Sequence, residues 1–89
     1  MLKISQIGPV NQTVTLRVEG RIVGPWVAEL RHSCEEVLTS DQTLKLHLAE
    51  VEFMDPQGVA LLSSLRSRGV ALLECSPFAA EQLKGARKS

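Results

Sequence analysis

In this 89-residue chain the residues whose type and setting invite a chemical reading are His32 and His47, Cys34 and Cys75, Ser63 and Ser64, and Asp55. Nucleophilic catalysis needs a hydroxyl or thiol within hydrogen-bond reach of a base. Neither histidine has a Cys or Ser clearly paired with it. His32 falls on the polar side of a helical pattern and His47 on the polar side of a strand pattern, so both read as surface residues. Cys34 and Cys75 are far apart, sit among apolar residues and lack a neighbouring Cys or His at metal-ligand spacing, so they read as reduced core thiols. Ser63 and Ser64 lie well inside a helical stretch, where hydroxyls often face solvent without a special role. No Gly-rich phosphate loop, metal cluster or triad spacing is visible. The chain therefore reads as a protein that is not an enzyme and uses no cofactor or metal.

Asp55 stands apart because it precedes Pro56 at the start of a helical pattern. A carboxylate there accepts hydrogen bonds from the free amides of the first turn and meets the positive end of the helix. Helix capping alone accounts for its presence.

The elements that must hold these residues follow from periodicity. Leu2 to Ile7 reads as a short strand, and Gly8 to Gln12 has the Gly, Pro and Asn that permit a turn. From Thr13 to Glu19 the chain alternates, with Val14, Leu16 and Val18 on one face and Thr15, Arg17 and Glu19 on the other. The alternation returns at Leu44, Leu46 and Leu48, with Lys45 and His47 opposite, so one face of the sheet is wet or covered by a partner. Val70 to Leu73 is a short apolar run suited to a further strand.

Between the strands, Val27, Leu30, Cys34, Val37 and Leu38 share one side of a helix whose other side holds Glu29, Arg31, His32, Glu35 and Glu36. Three junctions use one device: Gly24-Pro25, Asp55-Pro56 and Ser76-Pro77 each place a capping-type residue before a proline, which fits the first helical turn. The second helix is expected from Pro56 to about Arg68, closed by Gly69. The order is strand, strand, helix, strand, helix, strand, helix, an α/β fold with a four-stranded mixed sheet and three helices. Residues 1–84 are expected to form one domain, and Gly85 to Ser89 a flexible tail.

Composition narrows the function. Ten basic and ten acidic residues cancel, so the chain lacks the positive field that gathers phosphates, and nucleic acid is not expected as a partner. Met1 to Val10 lacks the pattern of an export signal, and no apolar run reaches membrane-spanning length. A cytoplasmic chain without direct membrane insertion is the expectation.

The segment Val51-Glu52-Phe53-Met54-Asp55-Pro56-Gln57-Gly58-Val59-Ala60-Leu61-Leu62 resembles the signature of STAS domains, the family of anti-sigma factor antagonists and sulfate-transporter regulatory domains. That signature is a strand, then Asp, two variable residues, Gly and an apolar helix. The resemblance extends to Val18-Glu19-Gly20-Arg21-Ile22 upstream and to Val70 through Phe78 downstream. It implies a bacterial signalling or regulatory role carried out by protein–protein interaction.

In members that act as phosphorylation switches, a Ser or Thr immediately before the signature Gly accepts phosphate. Here that position is Gln57, whose amide cannot accept a phosphoryl group, so the usual switch is expected to be absent. Val23 replaces an acidic residue found in many switch-type members. The family also usually adds a fifth strand and another helix after the region matching Pro77 to Leu83. Without them a sheet edge stays uncovered, and self-association or a strand from another chain becomes available to it.

Three functional readings follow. In the leading one, the chain binds an anti-sigma kinase-like protein through Gly24, Pro25, Trp26, Asp55, Pro56, Gln57, Gly58 and Ser64. The resemblance equally implies a subunit docking on the ATPase of a membrane lipid transporter, its partner then being transporter-associated. The third is a sensor of a small anion or nucleotide at the amide-rich start of the second helix. Trp26 either covers the sheet edge or stands as an aromatic anchor for the partner. A response-regulator receiver domain, whose phosphate-accepting Asp also ends a strand, needs an acidic pair and a Lys that Ile7-Gly8 and Leu73-Glu74-Cys75 do not supply.

Overall fold

The structure is a computed structural model and describes residues 2–86. Its elements are β1 (Leu2–Val10), β2 (Thr13–Ile22), α1 (Pro25–Thr39), β3 (Thr43–Met54), α2 (Pro56–Ser67), β4 (Ala71–Leu73) and α3 (Pro77–Ala86). The sheet order is β1-β2-β3-β4. β1 runs antiparallel to β2, whereas β2, β3 and β4 are parallel. The expected four-stranded mixed sheet and element order are both present. Of the tail expected over Gly85 to Ser89, the first two residues continue α3 and residues 87–89 lie outside the described residues.

The alternation in β2 and β3 decides which face is buried. Val14, Val18, Leu46 and Leu48 are fully buried, and Leu16 and Leu44 nearly so. They meet Val27, Leu30, Cys34 and Val37 of α1 and Leu61, Leu62 and Leu65 of α2 in one core. α2 packs against both α1 and α3, so the helices share that face and leave the other open, as right-handed crossovers between parallel neighbours require.

The hairpin is tighter than the sequence suggests. β1 continues to Val10, the register shifts between Ile7 and Val10, and the turn is confined to Asn11 and Gln12, both at positive φ (52° and 64°). Such a two-residue turn matches the twist of the strands it joins. β3 continues past the alternating Leu44 to Leu48 stretch and ends at Met54, directly before Asp55, as the resemblance implies. Its register against β2 shifts twice, between Arg17 and Glu19 and between Gly20 and Arg21. Each shift gives β3 one residue more than β2, so the inward positions step from Leu48 to Val51 to Met54 and simple alternation is lost.

All three proline junctions start helices. α2 closes as expected: Gly69 takes φ +92°, the Val70 amide donates to the Leu65 carbonyl (3.0 Å) and the Gly69 amide to the Arg66 carbonyl (3.1 Å). That pair of bonds uses carbonyls the helix end would leave free. Ser76 starts α3 and also ties it to the sheet. Its hydroxyl accepts from the Ala79 amide (3.1 Å) and donates to the Val51 carbonyl (2.8 Å), while its own amide donates to the Leu48 carbonyl (3.1 Å).

Two expectations about surface residues need correction. His47 is half-buried, because on the open face it stands between Arg17 of β2 and Leu73 of β4, and its Nδ1 is enclosed without a partner among the described residues. Ser63 has its hydroxyl enclosed in the same way, whereas Ser64 is exposed.

Cys34 is buried and Cys75 half-buried, and both are free thiols. Burial, with the Glu35 charge adding to it, pushes the Cys34 thiol up to about 12, so almost no thiolate forms at neutral pH. Titration of the native protein with a disulfide reagent at mildly alkaline pH should label Cys75 readily and Cys34 only after denaturant is added. Equal native reactivity of the two would contradict this burial.

Candidate functional site: the paired helix starts

β2 and β3 are parallel neighbours, so the loops leaving their carboxyl ends lie side by side, and each leads into a helix. The Asp55 amide donates to the Ile22 carbonyl (3.1 Å), which holds the two strand ends together. The Asp55 side chain then uses each oxygen for a different loop. Oδ1 accepts from the Gly58 amide of α2 (2.8 Å) and Oδ2 from the Gly24 amide ahead of α1 (2.9 Å). The expected helix cap is present, and the second bond, across 31 residues of sequence, is an addition to it. Gly24 brings no side-chain cap of its own and sits at φ 54°, a conformation that favours glycine. The amides of Gly24, then Gly58 and then Gln57 hold the Asp55 carboxyl below the usual carboxylate range, because each stabilises the charged form.

Gly58 is placed by contact as well as by conformation. A Cβ there would lie 2.6 Å from the Ile22 carbonyl oxygen and 3.0 Å from the Ile22 Cγ2. Only a residue without a side chain lets α2 start against the end of β2. A salt bridge closes the other end of the helix pair: Arg68 Nη1 and Nη2 donate to the two oxygens of Glu35, at 2.7 and 3.1 Å. The Arg68 hydrogen bonds hold the Glu35 carboxyl low.

The structure thus brings Gly24, Pro25, Asp55, Pro56, Gln57 and Gly58 into one surface at the carboxyl end of the sheet. Pro25, Pro56 and Gln57 are exposed, and Gly58 is buried beneath them. Ser64 lies two turns further along α2 on the exposed side, seven residues after Gln57 and so on the same face. Between them Ala60 is also exposed, so Gln57, Ala60 and Ser64 give this face no charge. Trp26 departs from the group: it is half-buried and lines a groove between α1 and β1 together with Leu2, Ile4 and Val37. In that position its ring covers the β1 side of the sheet. An aromatic pair, one ring exposed and the other half-buried, carries no signal in the sequence pattern. Phe53 at the end of β3 is 44% exposed and stacks on Phe78 of α3, with ring centroids 5.6 Å apart.

A β-β-α-β-α-β-α chain with a capped helix start after its third strand is a STAS-like domain in fold. Among solved structures, that of the anti-sigma factor antagonist SpoIIAA in its unphosphorylated form is similar, with a TM-score of 0.73 and 18% identity over 96% of this chain and 81% of that one. No family model and no curated protein matches the sequence. Among the described residues no helix is long and apolar enough to cross a membrane.

Two substitutions test the geometry. Gly58→Ala should destabilise the fold by about 1–3 kcal/mol, as forced overpacking does, read as a lower urea midpoint with an unchanged slope. Asp55→Asn should lower Tm and shrink the acid-side loss of stability. The folded carboxyl titrates below its unfolded value, so its contribution is complete above about pH 4 and fades as pH falls through the folded value. Wild type and variant should therefore converge in acid. A stability difference independent of pH would show that the charge of Asp55 is not what links the loops.

Proposed function

We propose that this chain is a non-catalytic regulatory domain that binds a cytoplasmic signalling protein, in the manner of an anti-sigma factor antagonist but without a phosphorylation switch at residue 57. The observation that carries the reading is the exposed, uncharged face running from Gln57 to Ser64 beside the Gly24-Pro25 loop, set on a rigid base by the Asp55 carboxylate. A face without charge, on helix starts already fixed by hydrogen bonds, suits docking against another protein surface, because little ordering entropy or desolvation opposes binding. The resemblance of the Asp55 to Leu62 segment to the STAS signature supports the choice of partner class, and SpoIIAA is described as an anti-sigma factor antagonist.

The anion-sensor reading is weaker on this geometry. Asp55 already occupies the Gly24 and Gly58 amides, and an incoming anion would meet its like charge at the helix start.

Quantitative pull-down from native lysate, read by mass spectrometry, should enrich a kinase-like regulatory protein with the wild type. Gln57→Arg and Ser64→Arg, both at exposed positions, should each deplete it while Tm stays within a degree or two. Capture that survives both changes would remove this face from the interface. Enrichment of a transporter ATPase in its place would replace the kinase-like partner with that class of protein.

A further inference from the structure

The sheet has two outer strands, and they differ in what an added strand would meet. β1 carries Lys3, Ser5 and Gln6 along its length, and Pro9, which has no amide to donate. Charge and proline on an edge discourage further pairing. β4 has neither. Its Ala71, Leu72 and Leu73 pair with Lys45, Leu46 and His47 of β3, and among the described residues they make no backbone hydrogen bond outside that ladder. The amides and carbonyls on its outer side are left to solvent.

Both faces beside this edge are apolar. Leu72, opposite the buried Leu46, faces the helices, where a groove of about 490 Å³ opens between β4 and α3 and is lined also by Val70, Ala80 and Leu83. Ala71 and Leu73 turn to the open side of the sheet, where both are half-buried. An extended segment laid along β4 would satisfy the outer backbone groups and place alternate side chains in the groove and against Ala71 and Leu73. A helix keeps its backbone bonds to itself and would leave β4 unpaired. Because β4 is three residues long, the backbone pairing is short, and the groove supplies much of the hold.

Charge selects the source of that segment. The charged residues lining the groove are Arg66 and Lys84, in the last turns of α2 and α3, and neither has an ion-pair partner among the described residues. Two copies of the chain joined edge to edge at β4 would bring these cations together. The β1 strand of a second copy would bring Lys3 and no carboxylate. We propose that the outer edge of β4 accepts an extended segment of a partner protein, with alternate apolar side chains lying in the β4–α3 groove and an Asp or Glu at its end against Arg66 and Lys84. The groove lies at the far end of α2 from Gln57, so this site stands or falls independently of the Gln57 face.

Cys75 lines the groove as a half-buried free thiol and reports its occupation. The probe is a capped peptide of about eight residues without Cys, alternating Val and Thr, with an Asp pair at one end. Added to the full chain at low salt, it should slow labelling of Cys75 by a disulfide reagent in a saturable way, and less so as salt is added. It should also slow hydrogen exchange of amides within Ala71 to Leu73, which an occupant of the groove alone would not do. Arg66→Gln with Lys84→Glu should weaken the peptide by about tenfold, and Gln57→Arg should leave its binding unchanged. The proposal is overturned if Cys75 is not protected by peptide up to about 1 mM, or if a peptide ending in Lys protects it equally. Equal binding of a peptide with proline at its centre, or protection of Cys75 without slower exchange in β4, would also overturn it, because the backbone pairing would be missing. Protection of Cys75 that rises with protein concentration alone would assign the edge to a second copy of the chain and overturn it too.

Discussion

A single carboxylate sets the geometry at the carboxyl end of the sheet. Parallel strands deliver their crossover loops to the same end of the sheet, and there each helix begins with amides that have no partner inside the helix. Two such starts side by side need acceptors, and Asp55 supplies one oxygen to each. Because the oxygens are fixed relative to one another, the starts of α1 and α2 are fixed relative to one another as well. Neither Gly24 nor Gly58 can contribute a side chain of its own. Gly24 sits at positive φ, and Gly58 is pressed against the Ile22 carbonyl. The acceptor therefore had to come from the residue between β3 and α2.

The opposite ends of α1 and α2 are held differently. The Arg68–Glu35 pair is about half exposed, and exposed ion pairs contribute little to stability. Its geometry is bidentate, which fixes orientation more than it adds energy. The helix pair is thus held by backbone-to-carboxylate bonds at the carboxyl end of the sheet and by a side-chain pair at the other.

Much of this was legible from residue types and spacing. Val14, Leu16 and Val18 and then Leu44, Leu46 and Leu48 announced two strands with a common buried face, and all three X-Pro junctions marked helix starts correctly. The cap at Asp55 was readable because capping is a local interaction spanning three residues. What was not readable is non-local or depends on register. The bond from Gly24 to Asp55 joins residues 31 apart and follows only once β2 and β3 are known to be neighbours. The two register shifts of β3 erase the alternation after Leu48, so its second half, with Phe53 exposed, had no period to recognise. His47 looked solvated because its own strand alternates. Its burial comes from Arg17 and Leu73 on the flanking strands. The direction of Trp26 was equally open in the sequence, since a residue in the first turn of a helix can face the sheet edge or the solvent, and it follows only from the position of α1 over β2 and β3.

The placement of Trp26 also separates the two sides of the helix pair. Its ring is half-buried between α1 and β1, beside Leu2 and Ile4, while the exposed side of α2 keeps the small and polar groups of Gln57, Ala60 and Ser64. Faces of that kind gain affinity from close approach and complementarity rather than from burying a few large side chains. Because the Asp55 carboxylate fixes the starts of α1 and α2 together, any molecule that met the Gln57 side would meet a backbone already set in place, and the cost of ordering it would be small.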